Sequence, residues 1–374
     1  MTALSDLTAK TTDVFIIGGG PAGLALAIAA RLRNLEVTVA DGSQPPIEKA
    51  CGEGLMPDGL VALAKLGVNL PGAQSHPFRG IRFVSGSLSV EGGFPGAPGV
   101  GIRRTVLHSR MVERAQALGV ALLWQTPVTG LHPEGVRLGE RVVRSRWVVG
   151  ADGNNSRVRS WAGLDAASQR KRLAFRRHYR ISPWSEFMEV YWGASCQIYV
   201  TPVAADEICV AVASRNPQMR LDKALTMFPD LASRFRGAPC SSAERGAISL
   251  TRKLPRVHRG RVALVGDASG AVDCVTGEGL GLAFRQAEVL AECLARGELR
   301  NYQREHARLS LRPALMSRLL LALDWRMALR ERVMRAFHAE PGLFTRMVAM
   351  HIGSLSPLNC AANGLALGLR MLHS

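Results

Sequence analysis

The segment that most constrains this chain is Gly18-Gly-Gly20-Pro-Ala-Gly23. It lies between a short apolar run, Asp13-Val-Phe-Ile-Ile17, and an Ala- and Leu-rich stretch from Leu24 to Asn34. A second apolar run, Glu36-Val-Thr-Val-Ala40, ends at Asp41. Short apolar runs bounded by glycine read as buried strands, and the Ala/Leu stretch reads as a helix. Strand, glycine turn, helix, strand is a right-handed βαβ unit. In such a unit Gly18 makes the tight turn, Gly20 lets backbone approach a pyrophosphate, and Gly23 lets the helix pack on the strand. Free N–H groups at the helix start attract phosphate. Asp41, about twenty residues on, is placed to accept hydrogen bonds from ribose hydroxyls. The spacing predicts a dinucleotide site.

Two further glycine-rich strand ends follow. Trp147-Val-Val149 runs into Gly150-Ala-Asp152-Gly153, a tight turn with Ser156 placed to cap a short helix. Arg261-Val-Ala-Leu-Val265 runs into Gly266-Asp267-Ala268, and Asp273-Cys-Val-Thr276-Gly277-Glu278-Gly279-Leu280-Gly281 then opens a helix to about Arg296. A carboxylate at a strand end, Asp267, can bind the hydroxyls of a ribityl chain, and a glycine-rich helix start can set N–H dipoles against an electron-rich ring. Between these pieces, Ile81 to Glu91 reads as a hairpin and Arg172 to Val212 alternates as a half-buried antiparallel sheet. After Glu298 the pattern is helical, with breaks expected near Pro313, Pro341 and Pro357. The first ten residues are polar and are expected to be loose.

The expected fold class is therefore α/β. A nucleotide-binding domain is assembled from residues 11–80, 106–170 and 256–300. A hairpin at 81–105 and a β-sheet substrate domain at 171–255 are inserted, and 301–374 form a helical C-terminal region.

Composition narrows the partners. The 374 residues are 47% hydrophobic and 21% charged, which excludes a disordered, collagenous or coiled-coil chain. The seven cysteines form no CxxC, so neither a zinc site nor a disulfide framework is indicated, and a reducing, cytoplasmic setting fits. The apolar stretch Val14 to Ala30 contains the glycine turn and lacks a basic leader, so it does not read as a signal peptide. Lys and Arg number 47 against 30 Asp and Glu, a net charge of +17 that favours anionic partners. The excess is Arg spread along the chain, not a DNA-binding arm, so nucleic acid is not the expected partner. From Leu311 to Phe337 apolar residues recur at helical spacing among Arg318, Arg326, Arg330, Arg332 and Arg335. That pattern suits a helix on an anionic membrane surface, and equally a helix packed on its own domain with a solvated basic face. No nucleophile–His–acid triad or His-x-x-x-His spacing appears, no metal is expected, and His76, His108 and His178 are expected at the surface.

Taken together, the three glycine-rich strand ends resemble the FAD-dependent aromatic hydroxylase and geranylgeranyl reductase superfamily, over about Asp13 to Arg296. The resemblance implies a Rossmann-type FAD-binding domain (GR2-like) with an inserted antiparallel β-sheet substrate domain and a helical tail. It implies that Gly18, Gly20, Gly23 and Asp41 hold the ADP half of FAD, and that Asp152 lies near the FAD and NAD(P)H path. It implies that Gly266 and Asp267 hold the ribityl chain, and that the helix opening at Gly277, Gly279 and Leu280 faces the flavin. Lys49-Ala-Cys51-Gly52-Glu53-Gly54-Leu55 looks like the Cys-Gly-Glu-Gly signature of the geranylgeranyl reductase branch, as does Thr276-Gly-Glu-Gly279. In that branch the loop lies beside the flavin, so Gly52 would let backbone approach the ring. Cys51 is then either its small polarizable neighbour or a packing thiol. Gly101-Ile-Arg103-Arg104 resembles the segment whose Arg touches FAD; Arg104 is the choice, with Arg103 the alternative. Two departures stand out. The prenyl reductases' Tyr-x-Trp-x-Phe-Pro segment is here Cys196-Gln-Ile-Tyr199-Val-Thr-Pro202, without Trp, and Cys274 stands where the family has Pro.

What the resemblance implies about activity is a non-covalent FAD enzyme with NAD(P)H as reductant and a hydrophobic small-molecule substrate. The first expectation is a monooxygenase that uses molecular oxygen to hydroxylate a phenol, quinol or polyketide. The alternative is a reductase of prenyl or lipid double bonds, with Cys51 or a bound water giving the proton. A third class is a basic peripheral membrane or nucleotide-binding protein without catalysis. Cys51 and Tyr199 are the catalytic candidates, and Tyr191, Trp192 and Tyr199 are expected to line a pocket above the sheet.

Overall fold

A computed structural model describes residues 12–167 and 170–372; the polar start of the chain, residues 1–10, lies outside the described residues. The chain opens with β1 (Thr12–Ile17), α1 (Pro21–Arg31) and β2 (Val37–Ala40). Next come β3 (Gly54–Leu55), α2 (Pro57–Lys65), β4 (Ser75–Phe78), the hairpin β5 (Gly80–Ser85) and β6 (Leu88–Gly93), and β7 (Gly99–Ile102). After them run α3 (Arg104–Ala117), β8 (Ala121–Leu123), β9 (Gly130–His132), β10 (Gly135–Leu138), β11 (Arg141–Gly150) and α4 (Arg157–Trp161). The middle of the chain gives β12 (Arg170–Tyr179), β13 (Phe187–Trp192), β14 (Cys196–Ala204), β15 (Glu207–Ser214), α5 (Leu221–Leu225), α6 (Pro229–Arg234) and β16 (Arg245–Thr251). It closes with β17 (His258–Arg259), β18 (Val262–Leu264), α7 (Gly279–Arg296), α8 (Leu299–Trp325), α9 (Met327–Ala339), α10 (Pro341–His351) and α11 (Pro357–Leu372).

The first sheet carries five parallel strands in the order β8-β2-β1-β11-β18. In chain order that is 3-2-1-4-5, a doubly wound arrangement whose direction reverses between β1 and β11. Buried apolar strands such as Val37–Ala40 suit a sheet covered on both faces. A ligand crevice is expected at that reversal, outside the carboxyl ends of the strands.

The second sheet runs β16-β12-β15-β14-β13-β5-β6, antiparallel except where β13 meets β5. The hairpin at 81–91 is thus part of the same sheet as the 172–212 strands. Their alternation predicted one wet face, but β15 is buried along its whole length and β14 up to its last residue. The reason is a second cover. One side packs on Met219, Leu221, Leu225 and Leu231, from α5, α6 and the turn before them. The other packs on the C-terminal helices through Leu320, Met334, Phe337 and Phe344. Phe344 meets Phe83 of β5 at 4.9 Å between ring centres. Each such buried side chain is worth roughly 1.5–3 kcal/mol, so the tail is part of the core.

Pro313 does not break its helix. It lies buried inside α8, which continues to Trp325. Its packed position holds the helix through the missing N–H bond. The chain turns instead at Arg326, where φ −122° and ψ 91° leave helical space. Pro341 and Pro357 each open a new helix, where a missing N–H costs nothing. No helix among the described residues is long and apolar enough to cross a membrane.

Candidate active site

The glycine turn is packed against the switch point. Gly18 has φ +113°, and a Cβ there would sit 2.5 Å from the Ala151 carbonyl oxygen. A Cβ on Gly23 would come within 1.9 Å of the Gly18 carbonyl oxygen, so only glycine lets α1 start here. Gly20 differs, since a Cβ would meet no atom within 4 Å. It borders open space. No side chain caps α1, whose N-cap is Gly20, or α7, so first-turn N–H groups of both helices are left for a ligand. Asp41 accepts from the Gly19 N–H at 2.7 Å and the Ser43 N–H at 2.7 Å. Two lone-pair sites remain for ribose hydroxyls.

A single large cleft, with about 1830 Å³ of empty space counting its open mouth, runs from this turn to the second sheet. Of the sequence-chosen residues, Gly20, Cys51, Gly52, Arg104, Tyr199, Asp267, Gly277, Gly279 and Leu280 line it. Gly18, Gly23, Asp41, Asp152 and Gly266 do not line it and act from behind. Asp152 caps α4 by accepting from the N–H groups of Arg157 (2.7 Å) and Val158 (3.1 Å), while its Oδ1 is buried without a partner. Ser156 caps the same helix at Arg159. Asp267 faces Lys49 across the cleft at 3.3 Å. Behind Gly266, His306 is buried against Ser269 (2.8 Å) and Gln286 (3.0 Å), and burial lowers it to about 4, so the ring is neutral.

The structure separates the two arginines. Arg103 turns away to Glu207 and Ser241. Arg104 lines the cleft, and its Nε is buried without a partner. Gly52 and Gly279 are as open as Gly20. Open glycines, uncapped helix starts and an orphaned guanidinium N–H fit a dinucleotide that carries a pyrophosphate and an electron-rich ring.

Several expectations change. His108 and His178 are buried, not surface residues. The two ring nitrogens of His178 lie 2.6 Å from Glu53 and 2.8 Å from Ser242, and His108 donates to the Gly19 carbonyl at 2.8 Å. Both ring nitrogens of His178 have partners inside the fold, whereas His108 has one, its Nδ1 is unpartnered, and burial lowers its pKa and favours the neutral ring. His76 is half-buried. Tyr191 and Trp192 do not line the cleft; Tyr191 points the other way to Glu189 and Phe228, and Trp192 packs on Phe83. Only Tyr199 of the three lines it. Burial holds its phenol well above the usual range, so it stays a neutral donor, and its Oη has no partner. Cys274 lines the same cleft and is exposed to it.

Sequence reasoning missed the far wall. Met316, Leu320, Met347, Val348 and His351 come from α8 and α10, and no motif marks them. His351 donates to the Thr276 carbonyl at 2.8 Å and lies 3.6 Å from the buried Glu278 carboxylate, tying α10 to the turn before α7. Glu53 was legible only as a letter of its signature. It is buried at φ +60°, accepts from the Arg104 N–H at 3.0 Å and from His178, and so pins the Cys51 loop to both domains. Glu53, His178 and Cys209 are close enough to ligate a metal, but the Arg176 guanidinium, 3.8 Å from Glu53, already supplies positive charge there.

Residues 11–220 match the sequence model of the FAD binding domain family. The chain belongs to that family. This FAD-binding chain is an FAD-dependent oxidoreductase. It is 26% identical to a menaquinone reductase of Mycobacterium tuberculosis over 316 residues, 76% of each chain. It is 36% identical to a 6-methylpretetramide 4-monooxygenase of Streptomyces rimosus over 172 residues, 41% of each chain. Its fold is that of a flavoprotein/dehydrogenase from Cytophaga hutchinsonii, with a TM-score of 0.82 at 17% identity, covering 98% of this chain and 100% of the other.

Proposed function

We propose that this FAD-dependent oxidoreductase reduces carbon–carbon double bonds in a long hydrophobic, isoprenoid-type chain, with NAD(P)H as the electron source. The observation that carries the reading is the far wall of the cleft. Ile81, Phe83, Met188, Val190, Met316, Leu320, Met347 and Val348 line it, and few polar groups interrupt them. Such a wall suits a hydrocarbon, which asks only for apolar area and exclusion of water. The departures at 196–202 and Cys274 put hydroxylation first in the sequence; the apolar wall supports the opposite order. So does coverage, since the reductase relative spans three quarters of each chain and the monooxygenase relative 41%.

Bound FAD supplies the hydride. The chain's residues do the rest. The glycine turn, the free N–H groups of α1 and Asp267 hold the cofactor, and Arg104, whose buried Nε–H has no partner, lines the cleft beside them. The 52–54 backbone, held by Glu53, sets the loop beside the ring. Cys51, whose Sγ accepts the Glu53 N–H at 3.4 Å, or a water beside it, gives a proton to the carbon that does not take the hydride.

One observation favours the second reading. Tyr199 lines the cleft and its buried hydroxyl has no partner, so a phenol oxygen that reached it would satisfy it. The test uses NADPH and a panel of prenyl lipids and alkyl phenols under labelled dioxygen. A prenyl product heavier by two hydrogens and free of label is expected, also under anaerobic single turnover. A labelled, hydroxylated phenol would overturn the reading.

A further inference from the structure

We infer that the outer face of α8 rests on an anionic lipid bilayer and that its inner face passes hydrocarbon from the bilayer into the cleft; the second half of this rests on the reading above.

Helix α8 is apolar on two neighbouring faces, about 100° apart around its axis. Met316 and Leu320 line the cleft, and Leu323 is buried in the core beside them. Leu311, Leu315 and Leu319, spaced by four residues, form a stripe on another face and are 72%, 50% and 47% exposed. A helix apolar all round is ordinarily covered all round. Here protein covers one side only. The exposure is concentrated: among the described residues eight of the twelve exposed large hydrophobics lie between Leu311 and Leu369. Helix α11 adds a second such stripe with Leu358, Leu365 and Leu369.

Charge names the occupant. Arg304, Arg308 and Arg318 fall on the same face of α8 as the leucine stripe by three- and four-residue spacing, and all three are exposed. Arg308 also meets Glu305 at 2.8 Å. Arg326, Arg332 and Arg335 continue the exposed basic surface onto α9, where Glu331 is exposed among them. Long arginine stems can lie along the leucines while their heads reach lipid phosphates. A second copy of this chain, also at +17, would bring like charge against that face. A surface of anionic phosphates is complementary to it. Neighbouring residues then have opposite duties. Leu315 and Leu319 contact lipid, while Met316 and Leu320 contact the hydrocarbon in the cleft, so the path between the two runs around one side of a single helix.

The test is sedimentation of the FAD-loaded protein with phosphatidylcholine vesicles, with and without phosphatidylglycerol. The protein is expected to pellet with the anionic vesicles and to be released by salt. The combined variant Leu311→Ser, Leu315→Ser and Leu319→Ser, altering exposed side chains only, is expected to keep FAD affinity and to lose vesicle affinity about tenfold or more. If that variant does not fold, Arg304→Gln with Arg318→Gln gives the same reading through the charge. The inference is overturned if the wild type stays in the supernatant, if the folded variant pellets as before, or if the wild type is a dimer that the variant makes monomeric. Vesicle binding without turnover of any prenyl lipid would leave the docking face standing and sink the reductase reading. Equal turnover of bilayer-held substrate by wild type and leucine variant would refute the transfer path.

Discussion

The two halves of the cleft are made of different material. The nucleotide half is mostly backbone, with turns at Gly18, Gly23 and Gly266 and the starts of α1 and α7, and a few side chains such as Asp41, Arg104 and Asp267. The apolar half is side chains gathered from β5, β13, β14, α8 and α10. A backbone site has one shape, because a Cβ at Gly23 strikes a carbonyl at 1.9 Å. A side-chain site changes shape with each substitution at little cost to the fold. That contrast accounts for a family in which FAD is shared while reactions diverge.

The sharpest way to break the contrast is at Gly23. Gly23→Ala forces α1 away from the turn, and FAD binding is expected to vanish, together with much of the folded protein. Equilibrium dialysis with FAD and far-UV circular dichroism would show it. Met316→Ala, on the other side, is expected to leave FAD affinity unchanged while altering which substrates turn over. If Gly23→Ala binds FAD normally, the rigid half is not rigid.

Acid should also separate the halves. His306, behind the Gly266 turn, titrates near 4 when folded against about 6.5 when unfolded. The folded state refuses a proton that the unfolded state takes. Stability is therefore full above pH ~6.5 and falls as pH drops toward 4, by about 3 kcal/mol over the window. Urea titrations at pH 7 and 4.5 would measure it, and His306→Gln is expected to flatten that slope. An equal slope in the variant would mean that the burial of this ring is not felt.

At Asp267 the effect is smaller and local. Its carboxylate is partly exposed and shares Lys49 at 3.3 Å, so little folding energy rests on it. If Asp267 holds the ribityl chain as proposed, Asp267→Ala is expected to remove a charge-assisted hydrogen bond worth ~1.5–3 kcal/mol and to loosen FAD about tenfold or more. Unchanged affinity and flavin spectrum would move the ribityl chain elsewhere.

The same contrast decides what could be read from the sequence. The βαβ opening was legible because glycine spacing and strand burial are local. The three nucleotide pieces were legible because each repeats strand, glycine and helix. The far wall was not, because Met316, Leu320 and His351 reach the cleft only once α8 and α10 fold back on the second sheet. His178 looked like a surface residue because its partner Glu53 is 125 positions away. Pro313 looked like a break because the packing that overrides it is tertiary. Resemblance alone separates Arg104 from its neighbour Arg103 in the sequence; only in the fold does Arg103 turn to Glu207 while Arg104 lines the cleft.

The smallest expected effect tests the apolar half itself. Tyr199 Oη is buried without a partner, which costs about 1–3 kcal/mol where nothing replaces its water. Tyr199→Phe removes that cost and keeps the ring that packs in the core, so the folded protein is expected to gain about 1 kcal/mol against urea. A hydrocarbon asks nothing of the hydroxyl, so turnover of a prenyl lipid should change less than about threefold. A phenol bound through that hydroxyl would lose about tenfold or more in kcat/KM. Both readings expect the stability gain, and only the phenol reading joins a kinetic loss to it. A stabilised variant with intact reduction keeps the cleft divided into a polar and an apolar half, and a stabilised variant with lost turnover makes Tyr199 a working part of the second.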